Sequence, residues 1–192
     1  MQELKDRIVK EGKVLPGNII KVDGFLNHRI DTELMDHIAE EFGRHFNMDD
    51  VTLILTAEAS GIALSAIVAR HFRKPMVFAK KAKSDNIEGG LYQSDIFSYT
   101  YKKKVTLLVS KEWISASDRV LIIDDFMANG EAMRGLCEIV EHAGATLVGI
   151  GCAVEKGFQG GGDRLRAAGV NLKSLAIIES AEPGHIVFRE DA

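Results

Sequence analysis

Two adjacent carboxylates, Asp124 and Asp125, follow an aliphatic run at 120–123 and precede a turn of small residues. The run is typical of a buried strand, so the acids should lie at the end of that strand. Adjacent carboxylates repel each other, and burial strengthens the repulsion, so they need cationic or hydroxyl partners. A ribose offers two neighbouring hydroxyl donors, and Mg²⁺ prefers oxygen ligands. The acid pair therefore predicts a diol or a magnesium ion as its partner.

The turn after the acid pair is built from small residues and leads into a segment with helical periodicity. Backbone N–H groups at the start of a helix, aided by the helix dipole, bind anions such as phosphate. A diol-binding acid pair followed by a phosphate site is the arrangement that a ribose 5-phosphate needs. Neither GxGxxG after the first core strand nor GxxxxGK[ST] occurs, so the common nucleotide-binding loops are excluded.

The rest of the chain alternates between aliphatic strands and amphipathic helices. Strands are predicted at 51–57, 76–80, 120–125, 146–154 and 172–180, and helices at 3–12, 31–46, 60–72, 131–144 and 158–169. Continuous aliphatic strands that alternate with helices indicate a central, mostly parallel sheet flanked by helices. Ligands of such sheets bind beyond the carboxyl ends of the strands, which is where the acid pair lies. We expect residues 1–192 to form a single domain.

The region 84–118 interrupts this alternation. Two strand-like segments flank a basic turn at 102–104, and Gly89-Gly90 precedes the first of them. An inserted β-hairpin beside an active site predicts a lid that closes over substrate. The alternative is an edge hairpin that only extends the sheet.

Composition limits the partners. A formal net charge of −4 argues against nucleic acid as a partner, and 46% hydrophobic with 27% charged residues is ordinary for a globular protein. No apolar run is long enough to predict a membrane span. Cys137 and Cys152 stand in apolar surroundings, which predicts two reduced thiols and a cytoplasmic location.

At this point the motif VLIIDDFMANGEAM resembles the phosphoribosyl-diphosphate signature of the type I phosphoribosyltransferases. TAEASGIA (56–63) is similar to the diphosphate loop of that family, and FAKKAK (78–83) to its basic segment. IIKVDGFLNHRID and AVEKGFQ are most similar to the xanthine-specific bacterial members. The resemblance covers essentially the whole chain, and it implies a small hood over the base site formed by the two chain ends.

The resemblance also implies a role for each site residue. Asp124 and Asp125 would be the catalytic pair that holds the ribose. Ile20, Asn27 and Lys156 would bind the purine. The substrate phosphoribosyl diphosphate would be held by Ala128, Asn129, Gly130, Glu131 and Ala132 at its 5′-phosphate and by Ala59, Ser60, Gly61, Lys80 and Lys81 at its diphosphate. Mg²⁺ is expected to be carried by the diphosphate rather than by protein ligands, and relatives imply a homodimer.

Two departures from the family pattern stand in the phosphate turn. Many relatives have Thr where Asn129 and Ala132 stand, so two hydroxyl donors to the phosphate are missing here. Backbone N–H groups and the Asn129 amide must then supply more of the hydrogen bonds to the phosphate. Hypoxanthine–guanine enzymes have Asp where Ala128 stands, which leaves the route of the purine N7 proton unassigned.

The sequence is compatible with more than one function. The expected reaction converts xanthine and 5-phosphoribosyl 1-diphosphate to xanthosine 5′-monophosphate and diphosphate, and the enzymatic alternative is a guanine or hypoxanthine transferase. A non-catalytic regulator that senses phosphoribosyl diphosphate would need a DNA-reading module, for which the first 30 residues are too short and insufficiently basic. A phosphoreceiver domain would need a further Asp at a later strand end, where Ala153-Val154-Glu155 supplies none.

Overall fold

The computed structural model describes residues 1–81, 90–98 and 103–190. Its centre is a six-stranded sheet with the order β10-β9-β8-β7-β3-β4, in which only the β10–β9 pairing is antiparallel. In chain order these strands are β3 (Leu53–Ala57), β4 (Met76–Ala79), β7 (Arg119–Met127), β8 (Thr146–Lys156), β9 (Leu172–Glu182) and β10 (His185–Phe188). The prediction of a mostly parallel sheet is confirmed.

Helices cover the two faces of this sheet. They are α1 (Gln2–Glu11), α2 (Thr32–His45), α3 (Gly61–Phe72), α4 (Glu131–His142) and α5 (Gly161–Ala167). Asp31 accepts a hydrogen bond from the backbone N–H of Leu34 and so caps α2, which is the start that the sequence indicates. α3 ends at Arg73, which adopts a left-handed conformation before Pro75.

Successive residues of one strand point to opposite faces, so each strand contributes to two cores. Ile54 belongs to the core under α2 and α3, whereas its neighbours Leu53 and Leu55 belong to the core under α4. Burial on both faces explains why β3 is apolar almost throughout its length. No helix among the described residues is long and apolar enough to cross a membrane.

The N-terminal part forms a small structure of its own near the carboxyl ends of the strands. β1 (Lys13–Leu15) and β2 (Ile19–Lys21) form an antiparallel pair, and a turn of π-helix follows at Asp23–Asn27. Lys156, at the end of β8, donates a hydrogen bond from Nζ to the carbonyl oxygen of Asn18 at 3.0 Å. This contact brings the β1–β2 pair to the predicted base site, as expected for a hood.

The inserted hairpin consists of β5 (Leu91–Ser98) and β6 (Lys103–Ser110). Its turn was predicted at 102–104, but Lys103 and Lys104 already belong to β6, and residues 99–102 lie outside the described residues. Gly89 of the predicted hinge also lies outside them.

The base of this hairpin packs firmly on the body of the protein. Backbone hydrogen bonds join Lys80 and Leu108 in both directions, which links β6 to the end of β4. An added Cβ at Gly135 of α4 would lie 2.5 Å from Cγ2 of Ile96, so this glycine lets the hairpin lie directly against the helix. The described packing thus holds the base of the hairpin, and a lid over 84–118 stays a prediction.

Three local features depart from the sequence predictions. β7 extends to Met127 instead of ending at Asp125, because Phe126 and Met127 still pair with β8. The π-helical turn at Asp23–Asn27 and the edge strand β10 were not predicted. Both are short, and β10 leaves Val187 40% exposed, so neither has a clear apolar period.

The two cysteines are free thiols. Cys152 is fully buried in β8, and Cys137 is partly buried in α4. Burial raises the pKa of Cys137 to about 11 and raises that of Cys152 well above its usual value. The predicted reduced thiols agree with this arrangement.

Candidate active site

The acid pair lies inside the protein rather than at an open rim. Asp124 and Asp125 are only 7% and 1% exposed. Oδ1 of Asp124 accepts a hydrogen bond from the backbone N–H of Asp125 at 3.0 Å. Oδ2 of Asp125 accepts one from the side-chain amide of Asn27 at 3.0 Å. Each carboxylate thus keeps oxygen lone pairs for a further donor.

Burial raises the pKa of Asp124 well above its usual value, and the neighbouring Asp125 raises it further. This direction is the one that two acids in a poorly solvated place must give. A ligand that brings hydroxyl donors or positive charge would stabilise the ionised form. The electrostatics of the pair therefore suit a sugar diol accompanied by a cation.

Gly61, the first residue of α3, lets the start of this helix lie directly against the side chain of Asp124. An added Cβ would lie 2.3 Å from Oδ1 of Asp124 and 2.3 Å from Oγ1 of Thr56. Real Cβ contacts are essentially never that short, so only glycine fits beside the side chains of Asp124 in β7 and Thr56 in β3. The Thr56 hydroxyl is buried and has no hydrogen-bond partner in the described residues.

A cavity of about 230 Å³ opens next to the acid pair. It is bounded by the ends of β3 and β7, the start of α4 and the inner side of the hairpin. The lining residues are Ala57, Glu58, Ser60, Lys81, Ile96, Phe97, Val105, Asp124, Asp125, Phe126, Met127, Ala128, Asn129, Gly130, Glu131, Ala132 and Met133. The structure thus brings the acid pair and all five predicted phosphate residues to one cavity.

The phosphate loop, residues 128–130 with the first turn of α4, has the features of an anion site. Gly130 has φ of 77°, a left-handed conformation that favours glycine, and α4 begins directly after it. No hydrogen bond from the backbone N–H of Asn129 or Gly130 is found within the described residues. Free N–H groups at a helix N-terminus are suited to phosphate oxygens.

Glu131 links this loop to the hairpin. Its Oε2 accepts from the backbone N–H of Phe97 at 3.3 Å and from Nη2 of Arg134 at 3.2 Å. Arg134 in turn donates to the carbonyl oxygen of Asp95 at 2.8 Å. Because its carboxylate is engaged in these contacts, Glu131 can offer its backbone N–H to a ligand without presenting a free negative charge.

The predicted diphosphate residues divide into two groups. Ser60 and Lys81 line the cavity, and Ala59 and Gly61 flank Ser60 in the loop that follows β3, where the Glu58–Ala59 peptide bond is cis. The backbone N–H of Lys81 donates to Oε1 of Glu58 at 2.6 Å, which fixes the lysine at the cavity entrance. Lys80 instead lines a separate cavity beside Trp113.

The three predicted purine residues do not line the cavity. Asn27 donates to Asp125. The ammonium of Lys156 lies 5.5 Å from the ring centroid of Phe126, which does line the cavity, and burial lowers the pKa of this lysine. Ile20 is buried in the core that also contains Phe25 and Leu26. Asn27 and Lys156 thus each contact a residue that lines the cavity, and their purine role stays a prediction.

Sequence reasoning missed several lining residues. Phe126 directly follows the acid pair, so the strand motif could have identified it. Glu58 lies within the TAEASGIA segment, directly before Ala59, so that motif could have identified it too. Phe97 carries no such signal, because it reaches the cavity only through the fold. No group of three or more potential metal-ligating side chains was found among the described residues.

Comparison with known proteins shows the family of this chain. The sequence model of the phosphoribosyl transferase domain matches residues 23–170. A xanthine phosphoribosyltransferase of Bifidobacterium animalis subsp. lactis is 54% identical over 192 residues, covering 98% of this chain and 100% of the relative. A xanthine phosphoribosyltransferase of Lachnoclostridium phytofermentans is 54% identical over 193 residues and is covered completely, as is this chain.

Solved structures show the same fold at much lower sequence identity. The adenine phosphoribosyltransferase of Giardia lamblia, complexed with 9-deazaadenine, has a TM-score of 0.78 and 23% identity over 93% of this chain and 98% of that one. The enzyme of Trypanosoma brucei, in complex with AMP, pyrophosphate and ribose-5-phosphate, has a TM-score of 0.72 and 24% identity over 91% of this chain and 79% of that one. At these identities the likeness concerns the fold alone.

Proposed function

Because the chain belongs to the phosphoribosyl transferase family, we propose that it converts xanthine and 5-phosphoribosyl 1-diphosphate to xanthosine 5′-monophosphate and diphosphate. One observation carries this proposal: a buried acid pair and a helix N-terminus with free backbone N–H groups face the same 230 Å³ cavity. The choice of xanthine is supported by relatives that are 54% identical over their full length.

In this proposal Asp124 and Asp125 accept hydrogen bonds from the ribose hydroxyls. The glycosidic carbon gains positive charge as the diphosphate departs, and fixed carboxylates stabilise that charge. The Asn27 amide holds Asp125 in place, and the close approach permitted by Gly61 holds Asp124. The pair therefore supplies orientation and charge rather than a covalent nucleophile.

The 5′-phosphate would lie on the phosphate loop, where Asn129, Gly130 and the first turn of α4 present N–H groups. The diphosphate would lie at the loop containing Ala59, Ser60 and Gly61, next to Lys81. Since Lys81 lines this cavity and Lys80 lines another one, we assign the cationic role at the diphosphate to Lys81 alone.

The carboxylates of the site fit Mg²⁺ that arrives bound to the diphosphate. The described residues offer no cluster of three ligands, whereas an acid pair beside a diphosphate site suits an ion that keeps most of its waters. When bound, the ion would neutralise charge on the departing diphosphate. Glu58, the acid pair and Glu131 are the carboxylates among the described residues that line the cavity, and that of Glu131 is already bound to Phe97 and Arg134.

For the base, Lys156 would donate to the 6-oxo group and Asn27 would contact the second carbonyl. Adenine presents an amino donor where Lys156 needs an acceptor, so it should be rejected. Partial burial disfavours the charged form of Lys156 and so lowers its pKa. An electron-rich carbonyl or a partly anionic xanthine would stabilise the charged form again. Ile20 would provide apolar contact beside the ring.

The hairpin would act as the lid, but only with its outer part. Ile96, Phe97 and Val105 line the cavity, and the base of the hairpin packs on α4 and β4. Closure excludes water, which would otherwise hydrolyse the sugar diphosphate.

Hydrogen exchange should slow at Phe97 and Lys104 on addition of substrate but stay equally slow at 107–109. A ligand effect spread evenly along β6 would contradict a fixed base.

The proposal extends to a cytoplasmic homodimer. Two free, buried or partly buried thiols suit a reducing compartment, and dimers are the arrangement that the family resemblance implies. Sedimentation of the purified protein checks the dimer directly.

The test of the activity uses four parallel incubations. Each contains Mg²⁺, phosphoribosyl diphosphate and one base: xanthine, guanine, hypoxanthine or adenine. We expect the highest kcat/KM with xanthine, much lower values with guanine and hypoxanthine, and no product with adenine. A preference for hypoxanthine or guanine would overturn the substrate. Absence of product with every base, in a protein that still binds phosphoribosyl diphosphate, would instead favour a non-catalytic sensor.

A further inference from the structure

The phosphate loop is held from behind by α5, a segment with no assigned role in the site. An added Cβ at Gly161 would lie 2.4 Å from the carbonyl oxygen of Ala128, 2.6 Å from the carbonyl carbon of Asn129 and 2.7 Å from the backbone nitrogen of Gly130. Nη2 of Arg164 donates to the carbonyl oxygen of Asn129 at 2.9 Å. Two successive carbonyl groups of the loop are therefore turned toward α5.

The direction of these carbonyls fixes the direction of the N–H groups. In a trans peptide the C=O and the following N–H point in opposite directions. The only cis peptide found in the described residues is Glu58–Ala59, so the bonds after Ala128 and Asn129 are trans. With both carbonyls facing α5, the N–H groups of Asn129 and Gly130 face away from it. Asn129 and Gly130 line the cavity and Arg164 does not, so these N–H groups face the cavity.

α5 is itself anchored by a buried ion pair. Glu155, in β8, is fully buried and binds both terminal nitrogens of Arg166, at 3.0 Å and 2.7 Å. The hydroxyl of Ser174 also donates to this carboxylate. An added Cβ at Gly162 would lie 2.0 Å from Oε1 of Glu155, so the helix start lies directly on the acid. The ion pair fixes α5 in place, and Arg164, on the exposed side of this helix, donates to the phosphate loop.

We propose that Arg164 is a positioning residue for 5′-phosphate binding, because its bond to the Asn129 carbonyl turns the N–H groups of Asn129 and Gly130 toward the ligand. This inference rests on the site assignment of the proposed function. It adds a residue that contacts neither substrate nor cavity and that acts through the loop. The two missing hydroxyls at Asn129 and Ala132 make this orientation more important, because backbone N–H groups must then hold most of the phosphate.

The test compares Arg164→Ala, Arg164→Gln and the matched control Arg44→Ala in the full-length protein. Arg44 is an exposed arginine of α2 whose side chain pairs with Glu41. Calorimetry measures binding of ribose 5-phosphate and, separately, of inorganic diphosphate with Mg²⁺. Steady-state kinetics give KM for phosphoribosyl diphosphate and kcat.

Arg164→Ala should weaken ribose 5-phosphate about tenfold and raise KM for phosphoribosyl diphosphate by a similar factor, which is the size of one lost hydrogen bond to a charged group. Binding of diphosphate and kcat should stay within about twofold of the wild type. Arg164→Gln, which keeps a donor but loses the charge, should recover most of the affinity. Arg44→Ala should match the wild type.

Three outcomes would overturn the inference. Unchanged ribose 5-phosphate binding in Arg164→Ala would show that the loop needs no support. Equal weakening of diphosphate would indicate general loosening of the fold. A Gln variant as weak as the Ala variant would indicate direct attraction by charge. If the wild type itself bound no ribose 5-phosphate, the site assignment would fail first, and the two failures are thereby distinguished.

Discussion

The ribose-phosphate half and the purine half of the site are built in different ways. The first comes from one continuous stretch, 124–132, which passes from strand to loop to helix. The second is assembled from residues far apart in the chain: Asn27 lies 98 positions from its partner Asp125, and Lys156 lies 138 positions from Asn18. In the proposed site, the ligand part shared by all reactions of this type would be held by local structure, whereas the variable part would be held by tertiary contacts.

The two halves also differ in how tightly they are packed. Gly61 and Gly161 have no space for even one methyl group, because Asp124 and the phosphate loop lie against them. Gly24, in the π-helical turn of the purine half, has nothing within 4 Å of an added Cβ. We infer that Gly61 and Gly161 tolerate no side chain, whereas Gly24 does. The purine half is not open everywhere, since an added Cβ at Gly157, beside Lys156, would lie 2.9 Å from Cγ2 of Ile177.

The largest effect should follow from neutralising the acid pair. Asp124→Asn and Asp125→Asn should each lower kcat/KM on the order of 100-fold, because a charged acceptor for the ribose hydroxyls is lost. The folded structure should persist, since Asn keeps the shape of the side chain. Initial rates at saturating xanthine, with circular dichroism as the control for folding, measure this. Near-normal turnover in either variant would remove that residue from ribose binding.

A smaller but still large effect is expected from Gly61→Ala. The added methyl group would overlap Asp124 and Thr56, and such overpacking costs roughly 1–3 kcal/mol. We expect a lower midpoint in urea and at least about a tenfold loss of kcat/KM, because Asp124 must move. Gly24→Ala is the matched substitution in the purine half and should leave both quantities unchanged. Equal behaviour of the two variants would contradict the difference in packing.

A change confined to selectivity should follow from Asn27→Ala. The ratio of kcat/KM for xanthine over hypoxanthine should fall by about tenfold, because the contact to the second carbonyl is lost. KM for phosphoribosyl diphosphate should rise much less, although Asp125 also loses one donor. An unaltered ratio would show that Asn27 serves the acid pair and not the base.

The smallest effect concerns stability and pH. The pKa of Asp124 is raised in the folded protein, mainly by burial, so its neutral form is the one that folding favours. The stability that this group contributes is present below its unfolded pKa of about 3.8 and is lost as pH rises through the folded value. The free energy of unfolding of Asp124→Asn should therefore exceed that of the wild type increasingly from acidic toward neutral pH. Urea titrations without ligand between pH 4 and 8 measure the difference, and a difference independent of pH would contradict it.

Most of the sheet and the phosphate half could be predicted from the sequence because their signals are local. Aliphatic runs identified all five parallel strands, and the position of Asp124 and Asp125 indicated the site. The π-helical turn, the rear support by Arg164 and the placement of Lys80 and Lys81 at different cavities depend on tertiary packing. No spacing in the sequence encodes them. Only the family resemblance pointed to Asn27 and Lys156, because each meets its partner across the fold.

The two thiols make the protein suitable for selective chemical labelling. With a pKa of about 11, only on the order of one in 10,000 Cys137 side chains is a thiolate at pH 7, and Cys152 is buried in β8. Maleimides attack thiolates, so both native cysteines should react very slowly in the folded state. A single cysteine introduced at exposed Lys104 would then carry a fluorophore on the hairpin without removal of either native thiol.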